Sequence, residues 1–359
     1  MKIAYYVSGH GFGHISRSEI IIRELLKSPK VEKIFLTTKR KNFIQEKLER
    51  VEVREKNLDP EMVQNSSISL DIGKTKNAIL EFEIKKEKLK EEEKLFLREN
   101  SVDLVVSDSP SLPFPIARDL GVFSVFIGNF TWDFIYKNYE KHDEFYQSYA
   151  NSIAKEYSFC DLSFVLPFHC PMDSLPVKKN VGLVGREPTL SRKEVRKILH
   201  FREDLKYFLF SFGAYGIRES DLRLDLLKQD YRIVISGYEG FQSEKILKIE
   251  NVMYADLIRA CDFVVTKPGY GILAETYFAN TPVIYTDRGD FAEYPYLVEA
   301  MNHYHEAYYI SHEELFQLNF QEAVFDKIDT KKQKIRNKLE NGTLEIASEI
   351  VNIGGRKKN

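Results

Sequence analysis

The chain alternates short apolar runs with longer stretches in which apolar residues recur every three or four positions. Short runs predict buried strands, and the longer stretches predict amphipathic helices. In the first half, strands are predicted at 2–7, 33–38, 102–108 and 122–128. Helices are predicted at 16–28, where Ser16 or Ser18 is expected to cap the first turn, at 79–100 and at 114–120. This order predicts a parallel sheet with helices on both faces.

The alternation stops at residues 167–190 and then restarts. This segment contains four prolines and little periodicity, which predicts a connection between two domains. Beyond it, strands are predicted at 207–212, 232–237, 262–266 and 282–286. Helices are predicted at 191–199, around 223–229, at 254–260, at 271–280 and, as one or two helices, at 330–353.

Two α/β sheets in tandem predict two facing nucleotide-binding-like domains. The predicted boundaries are 1–170 for the first domain, 171–190 for the linker, 191–335 for the second domain and 336–359 for a C-terminal helix that packs back toward the first domain. In such sheets, ligands bind at the carboxyl ends of the strands. In a two-domain protein, the deepest cleft is expected between the domains.

Composition narrows the function classes. The 359 residues include 52 basic and 54 acidic side chains, so the balance of charge gives no reason to expect a nucleic-acid partner. Three cysteines, Cys160, Cys170 and Cys261, are too few and too scattered for a disulfide framework or a zinc site, and no metal is predicted. The N-terminus lacks the pattern of a signal peptide, and no apolar stretch approaches the roughly 20 residues of a membrane-spanning helix. The expected location is cytoplasmic.

A glycine-rich loop with two histidines follows the first predicted strand. Gly9, Gly11 and Gly13 alternate with other residues, so the loop lacks both the G-x-G-x-x-G spacing of dinucleotide binders and the Gly-Lys-Ser/Thr of a phosphate loop. Glycines here allow a sharp turn and close approach of a ligand. His14 falls at or near the N-terminus of the next helix, which disfavours the imidazolium and suits a general base. His10 is the rival for this role, and a turn histidine is the simpler alternative.

Asp108 ends another predicted strand of the same sheet. That position brings it beside the glycine-rich loop, where its carboxylate would accept from the far ring nitrogen of His14 and orient the ring. The alternative is a carboxylate that caps a loop or a helix.

The loop after the strand at 262–266 carries the features of a phosphate site. Lys267, Gly269 and Gly271 lead into a helix, and a helix N-terminus binds anions. Glu275 lies about one turn into this helix, where its carboxylate can accept two ribose hydroxyls.

Two further loops extend this prediction. Asp290 and Glu293 follow the next strand, where their carboxylates can bind sugar hydroxyls. Gly213 and Ala214 follow the strand at 207–212 and offer a backbone nest for the same diphosphate.

These motifs resemble a known family. The segment KPGYGILAE…TPVIYTDRGDFAEY resembles the nucleotide-sugar donor motif of GT-B glycosyltransferases. The spacing from Gly269 to Glu275 is similar to that of the peptidoglycan N-acetylglucosaminyltransferase, or family 28-like, group and of plant secondary-metabolite glucosyltransferases. SGHGFGHISR together with KPGYG and DFAEYP is most similar to a glycosyltransferase-like group that includes the N-terminal domain of plant arabinokinase.

The resemblance implies the GT-B fold, with two facing Rossmann-like domains and a cleft between them. It also implies an inverting, metal-independent transfer from a nucleoside-diphosphate sugar, here a UDP-sugar, to a hydroxyl of a carbohydrate or glycolipid, with no cofactor besides the donor substrate. His14 would be the base and Asp108 its support. The implied donor-binding residues are Gly213, Ala214, Val252, Met253, Lys267, Gly269, Tyr270, Gly271, Glu275, Arg288, Asp290 and Glu293. The implied acceptor-side residues are Gly9, His10, Gly11, Gly13 and Trp132.

Several alternatives stay open at this point. The group Arg288, Asp290 and Glu293 also suits a sugar-nucleotide epimerase on the same fold, and a non-catalytic nucleotide-sugar-binding protein is a third reading. Trp132 is expected to stack on a sugar or touch a lipid chain, or else to pack over the sheet. Trp132 near the basic Lys137 is the basis for expecting peripheral contact with a membrane surface.

Overall fold

Two parallel β-sheets, each wrapped by helices, organise the chain. The computed structural model describes residues 1–44, 48–60, 62–66, 69–212, 221–236, 243–318 and 338–354. Two compact units result: one contains 1–65, 70–184 and 339–359, and the other contains 66–69 and 185–338. The division after Val184 falls inside the predicted linker.

The first unit contains a seven-stranded parallel sheet. Its strands are β1 (Lys2–Val7), β2 (Lys33–Thr38), β3 (Val51–Glu55), β6 (Leu104–Asp108), β7 (Phe123–Gly128), β8 (Leu162–Val165) and β9 (Lys178–Asn180). Two short strands, β4 (Gln64–Ser66) and β5 (Ser69–Leu70), pair separately. The order in the sheet is β3-β2-β1-β6-β7-β8-β9. The edge strand β9 is formed by residues of the predicted linker.

Strand order reverses between β1 and β6, because β2 lies on one side of β1 and β7 lies beyond β6. Val7 pairs with Asp108, so the last residues of these two strands are neighbours. In doubly wound sheets this switch point is where the loops part and a ligand binds. The loops that carry His14 and Asp108 therefore leave the sheet side by side.

Helices cover both faces of this sheet. They are α1 (Phe12–Leu26), α2 (Ile72–Glu99), α3 (Pro113–Leu120), α4 (Trp132–Lys137), α5 (Phe145–Tyr157) and, near the C-terminus, α11 (Thr343–Ile353). Side chains of β1 alternate between two apolar clusters: Tyr5 packs in the cluster that includes α1 and α11, and Tyr6 packs in the cluster that includes α2. Both faces are buried, which is why the strand is a continuous apolar run.

Two glycines allow the C-terminal segment to return to this unit. Leu183 and Asn341 pair in a parallel bridge, and the backbones beside them touch. A Cβ on Gly182 would lie 2.3 Å from the carbonyl oxygen of Glu340, and one on Gly342 would lie 2.6 Å from the carbonyl oxygen of Gly182. Only glycine permits this approach, which places α11 against α1.

The second unit contains a six-stranded parallel sheet. Its strands are β10 (Lys206–Ser211), β11 (Tyr231–Ile235), β12 (Ile246–Lys248), β13 (Phe263–Thr266), β14 (Val283–Tyr285) and β15 (Ala307–Tyr309). Its helices are α6 (Arg192–Ile198), α7 (Tyr254–Ala260), α8 (Tyr270–Ala279), α9 (Tyr294–Tyr304) and α10 (His312–Gln317). The order β12-β11-β10-β13-β14-β15 places the switch point between β10 and β13. The loop that begins at Lys267 follows β13.

Two local predictions are wrong. Helix α1 begins at Phe12 after Gly11, so Ser16 and Ser18 lie inside the helix and cap nothing. The helix predicted around 223–229 is a single 3-10 turn at Leu224–Leu226. Leu222 and Leu227 both reach the apolar core of the second sheet. A helix would place residues five positions apart on different faces, so an irregular segment buries both better.

Two observations concern membrane-spanning helices and cysteine thiols. In the described part of the chain, no helix has the length and apolar character needed to cross a bilayer. All three cysteines, Cys160, Cys170 and Cys261, are buried free thiols.

Candidate active site

The N-terminus of α1 is shaped by the glycine-rich loop that follows β1. Gly11 has φ +81°, a left-handed conformation that favours glycine. Its N–H donates to the carbonyl of Gly9 at 3.0 Å, and the same carbonyl accepts from Nε of Arg40 at 3.3 Å. A Cβ on Gly13 would meet no heavy atom within 4 Å. The loop thus turns tightly and leaves open space beside His14, the third residue of α1.

His14 and Asp108 are in direct contact. Nδ1 of His14 lies 2.8 Å from Oδ1 of Asp108. His14 is 7% exposed and Asp108 is fully buried. Among the described residues, Nε2 of His14 has no hydrogen-bond partner, whereas Ser109 Oγ lies 3.4 Å from Nδ1. A carboxylate on one ring nitrogen and a bare second nitrogen is the arrangement of a histidine poised to accept a proton.

Arg17 and Ser18 complete the surroundings of Asp108. Arg17 donates from Nε to Oδ2 at 2.7 Å and from Nη2 to Oδ1 at 2.5 Å, and Ser18 Oγ donates to Oδ2 at 2.9 Å. Arg17 Nη1 also donates to the side-chain carbonyl of Asn129, which follows β7. We call His14, Arg17, Ser18, Asp108 and Asn129 the His14 site.

Sequence reasoning missed Arg17 and Asn129, although each left a signal. Arg17 lies three positions after His14, and residues three apart share one face of a helix. Asn129 comes directly after β7, the neighbour of β6, so it falls at the same carboxyl edge of the sheet.

Paired charges keep Asp108 ionised. Burial alone raises the pKa of a carboxyl group, but the charge and hydrogen bonds of Arg17, followed by those of His14, outweigh it and lower the pKa of Asp108 to about 2. Next to it, burial and the charge of Asp108 raise the pKa of the Tyr5 phenol far above its ordinary value.

His10 and Trp132 lie together rather than at the carboxylate of Asp108. The ring of His10 meets Trp132 edge-on at 5.4 Å, and Phe130 separates Trp132 from His14, with ring distances of 5.2 and 5.6 Å. Trp132 is 3% exposed and donates from Nε1 to Oδ2 of Asp59 at 2.9 Å. This burial fits packing over the sheet, and it removes the residue on which the expectation of membrane contact depended.

At the carboxyl edge of the second sheet, the loop after β13 meets the loop after β14. Arg288 donates from Nη1 to Oε1 of Glu293 at 2.9 Å and to the carbonyl of Pro268 at 3.2 Å. Nε of Arg288 and Oγ1 of Thr286 are buried, and neither has a hydrogen-bond partner in the described part of the chain. We call Lys267, Thr286, Arg288 and Glu293 the Lys267 site.

The surroundings of Lys267 disfavour the protonated form of its amine. Burial, followed by the nearby charge of Arg288, lowers the pKa of Lys267 from 10.5 to about 7, and Glu293 only partly opposes the shift. A partly buried lysine beside a second cation is stabilised by any anion that binds there. The N-terminus of α8 starts three residues later, at Tyr270, with Gly269 as its cap and Gly271 in its first turn.

Glu275 is already held by a residue that the sequence did not single out. Arg186 donates from Nε to Oε1 of Glu275 at 2.7 Å. Burial raises the pKa of Glu275, and the charge of Arg186 opposes that rise. One carboxylate oxygen is thus engaged, although Glu275 lies in α8 as expected.

The remaining predicted donor residues lie at the same edge of the second sheet or outside the described residues. Met253 caps α7, and Val252 precedes it. Asp290 is exposed after β14. Gly213 and Ala214 lie outside the described residues. Within the described ranges, no three His, Cys, Asp or Glu side chains come together as a metal site.

Comparison with known proteins gives one curated relative. No protein-family model matches the chain. L-arabinokinase of Arabidopsis thaliana is 30% identical over 315 residues, which cover 85% of this chain and 30% of that protein. The chain thus spans 30% of the length of the curated relative it matches. The expected resemblance to the arabinokinase group is confirmed as a sequence similarity of 30% identity. The assignment to family 28 is not confirmed.

Solved structures give the fold. A UDP-glucosyltransferase from Polygonum tinctorium, capable of glucosylating indoxyl, has a TM-score of 0.64 at 13% identity, covering 99% of each chain. Phytolacca americana UGT2, solved with UDP-2fluoro-glucose and pterostilbene, has a TM-score of 0.62 at 12% identity, covering 99% of this chain and 100% of that one. CalG4, the calicheamicin glycosyltransferase, has a TM-score of 0.60 at 13% identity, covering 99% of this chain and 98% of that one. The predicted fold class is confirmed: this chain has two parallel α/β sheets and the GT-B fold of these glycosyltransferases.

Proposed function

We propose that the chain is a glycosyltransferase that moves a sugar from a nucleoside-diphosphate sugar, UDP-sugar in the first instance, to a hydroxyl group. The observation that carries the proposal is the contact of His14 Nδ1 with Asp108 Oδ1 at 2.8 Å, with Nε2 left bare. The likeness of the whole chain to solved glycosyltransferases supports it, and UDP is named with two of them. A carbohydrate or glycolipid is the proposed acceptor.

His14 is the proposed general base. Its Nε2 takes the proton of the acceptor hydroxyl while that oxygen forms a bond to the anomeric carbon of the donor sugar. The bond from that carbon to the diphosphate breaks, and the nucleoside diphosphate leaves with the electron pair. A single displacement of this kind inverts the anomeric configuration. Asp108 accepts from Nδ1–H throughout and stabilises the imidazolium that forms.

The second sheet supplies the proposed donor half. The first backbone N–H groups of α8, at Tyr270 and Gly271, with Lys267 and Arg288, neutralise the charge that develops on the diphosphate. Protein cations can do this without a metal ion, so the proposed reaction proceeds in the presence of a chelator. Glu275 is the proposed partner of the ribose hydroxyls, through the oxygen that Arg186 does not engage.

The other predicted donor contacts divide into two sets. Val252 and Met253 offer backbone groups to the base of the nucleotide. Asp290 is the proposed carboxylate for the sugar hydroxyls, whereas Glu293 holds Arg288 and has one oxygen to offer.

A thermal-shift screen against UDP-, GDP- and dTDP-sugars tests the donor assignment. A ligand that binds only the folded state stabilises it by about 2.7 kcal/mol at a hundredfold excess over Kd. We expect UDP-sugars to raise the Tm of the wild type and to shift Lys267→Met much less. No shift with any nucleotide would contradict the proposal.

Product analysis then distinguishes a glycosyltransferase from a sugar-nucleotide epimerase and from a non-catalytic nucleotide-sugar-binding protein. Mass spectrometry with a panel of monosaccharide and glycolipid acceptors is expected to give a product with one added sugar and an equal amount of UDP. A changed UDP-sugar formed without acceptor would indicate an epimerase. Binding with no turnover across the panel would indicate a nucleotide-sugar-binding protein.

A further inference from the structure

Arg17 contacts both His14, the proposed base, and Asp108, the carboxylate that supports it. Its Nε and Nη2 bind the two oxygens of Asp108, and Nη2 also lies 3.1 Å from Nδ1 of His14. Arg17 is 6% exposed. A planar guanidinium that grips both oxygens of a carboxylate fixes the orientation of that carboxylate as well as its charge.

The geometry selects one tautomer of His14. Nδ1 cannot donate to Asp108 and accept from Arg17 at the same time. The Nη2 of Arg17 lies 2.5 Å from Oδ1 of Asp108 but 3.1 Å from Nδ1 of His14. Nη2 carries two N–H groups about 120° apart, but Oδ1 and Nδ1 lie only 2.8 Å from each other, so Nη2 cannot point one N–H straight at each of them. The N–H therefore points at the nearer, charged oxygen, and Nδ1 carries hydrogen and donates to the anion. Nε2 is then the lone pair that faces away from the network.

The charges of the site cancel before His14 gains a proton. Asp108 and Arg17 are a buried ion pair with zero net charge. A protonated His14 would add a second cation to one carboxylate in a site where solvent screening is weak. Asp108 by itself would favour the imidazolium, and a histidine held in that form cannot act as a base.

We propose that Arg17 is a positioning residue that cancels the charge of Asp108, so that the carboxylate fixes the Nδ1–H tautomer of His14 without holding the ring as an imidazolium. The role of Arg17 in transfer rests on the proposed function, whereas the tautomer and charge of His14 do not.

The groups that face His14 come from two strand ends and from its own helix. Asp108 and Ser109 come from the end of β6, Phe130 follows β7, and Arg17 lies on α1. Asp108 and Arg17 are the charged residues among these contacts. Farther out, the titratable groups are Tyr5 of β1, His10 against Trp132, Asp59 bonded to Trp132 and Arg40 bonded to the Gly9 carbonyl.

Two substitutions separate the charge of Arg17 from its hydrogen bonds. Arg17→Gln removes the charge and keeps an amide N–H donor at the level of Nε, whereas Arg17→Lys keeps the charge and loses the fork. Nitrogen-15 NMR of the histidine rings reports tautomer and protonation directly in the ligand-free chain, with His14→Gln used to assign the signal. Circular dichroism and the Tm of each variant establish that it is folded.

In the wild type we expect the neutral ring of His14 to carry its hydrogen on Nδ1. In Arg17→Gln, the change from imidazolium to imidazole is expected to move to higher pH by about one unit, a tenfold change in proton concentration. In Arg17→Lys it is expected to stay near the wild-type pH, with a mixture of tautomers. Hydrogen on Nε2 in the wild type, or equal titration of the wild type and Arg17→Gln, would overturn the proposal.

If Arg17→Gln does not fold, two measurements still test the proposal: the tautomer of His14 in the wild type and the titration of His14 in Arg17→Lys. Hydrogen on Nε2 of His14 in the wild type would overturn the proposal. A His14 titration in Arg17→Lys that differs from the wild type by a full pH unit would also overturn it.

A second experiment measures kcat/KM for a UDP-sugar as a function of pH and follows the decrease on the acid side, the acid limb. We expect that limb to move upward by about one pH unit in Arg17→Gln, with KM for the donor unchanged. A chain without transfer activity would contradict the proposed function and leave the NMR result to decide the role of Arg17. Transfer activity together with an unchanged ring titration would overturn the role of Arg17 alone.

Discussion

The His14 site and the Lys267 site occupy the same topological position in two sheets, yet they differ in how far their charges are paired. In the first, Asp108 accepts from His14, Arg17 and Ser18. In the second, Arg288 has one carboxylate partner, Glu293, and a buried Nε without a hydrogen-bond partner in the described part of the chain. The first arrangement is complete without a ligand, whereas the second gains from an added anion. The difference fits a proton acceptor in one sheet and a diphosphate site in the other.

The largest expected effect tests the first half of this comparison. His14→Ala is expected to reduce transfer by about 10²–10⁴-fold, since a positioned general base contributes that much. Its affinity for UDP, measured by calorimetry, is expected to stay at the wild-type value.

His10→Ala is the matched control and is expected to retain most of the activity, because its ring contacts Trp132. Full activity of His14→Ala with loss in His10→Ala would transfer the base role to His10.

The second-largest expected effect is a loss of unfolding free energy when the carboxylate partner of a buried arginine is removed. Asp108→Asn leaves the buried Arg17 without its anion, which costs about 3–5 kcal/mol of unfolding free energy in comparable buried pairs. Glu293→Gln removes the corresponding partner of Arg288 and is expected to cost less, because that site is not fully paired in the wild type. Urea denaturation of both variants measures the contrast, and equal losses would show that the two sites are paired to the same degree.

The stability from Asp108 also depends on pH. The pKa of Asp108 is about 2 in the folded chain, below its ordinary value of 3.8. The unfolded chain therefore binds the proton first, and the contribution is fully present above about pH 4 and is lost as pH falls toward about 2. The difference in unfolding free energy between wild type and Asp108→Asn should shrink in this window.

The third effect concerns the donor half. Glu275→Ala is expected to weaken UDP binding about tenfold, because a site built to accept a hydroxyl loses a charged hydrogen bond. The matched ligand is 2′-deoxy-UDP, which lacks one of the hydroxyls. If Glu275 binds the ribose, the substitution should weaken the deoxy ligand less than UDP in calorimetry. An equal loss for both ligands would point instead to a structural role of the Glu275–Arg186 pair.

The smallest expected effect is the change of unfolding free energy with pH that comes from Lys267. The pKa of Lys267 is about 7 in the folded chain and 10.5 ordinarily. Between these values the unfolded chain binds more protons, so stability rises with pH, by up to about 1.4 kcal/mol per unit from this group. Lys267→Met is expected to lack that rise between pH 7 and 8.5 in urea denaturation. The same slope in both proteins would show that Lys267 is not buried against Arg288.

Much of the fold followed from local pattern. The strand at 33–38 and the helix at 254–260 have the bounds predicted from apolar periodicity. The closeness of His14 and Asp108 also followed, because carboxyl ends of neighbouring parallel strands meet at one edge. The irregular segment at 223–229 did not follow, since only packing on the sheet decides that Leu222 and Leu227 are buried together.

The sequence by itself determined which residue types stand at the strand ends: a histidine in a glycine-rich turn, an aspartate as the last residue of a strand, and a lysine and glycines before a helix. Those choices depend on backbone conformation and short-range periodicity, which are local. The tertiary structure alone decided which charges pair. Asp108 lies 91 positions from Arg17, and Glu275 lies 89 positions from Arg186. The stability of a charge in the interior depends on its neighbours in space, and no local pattern records them.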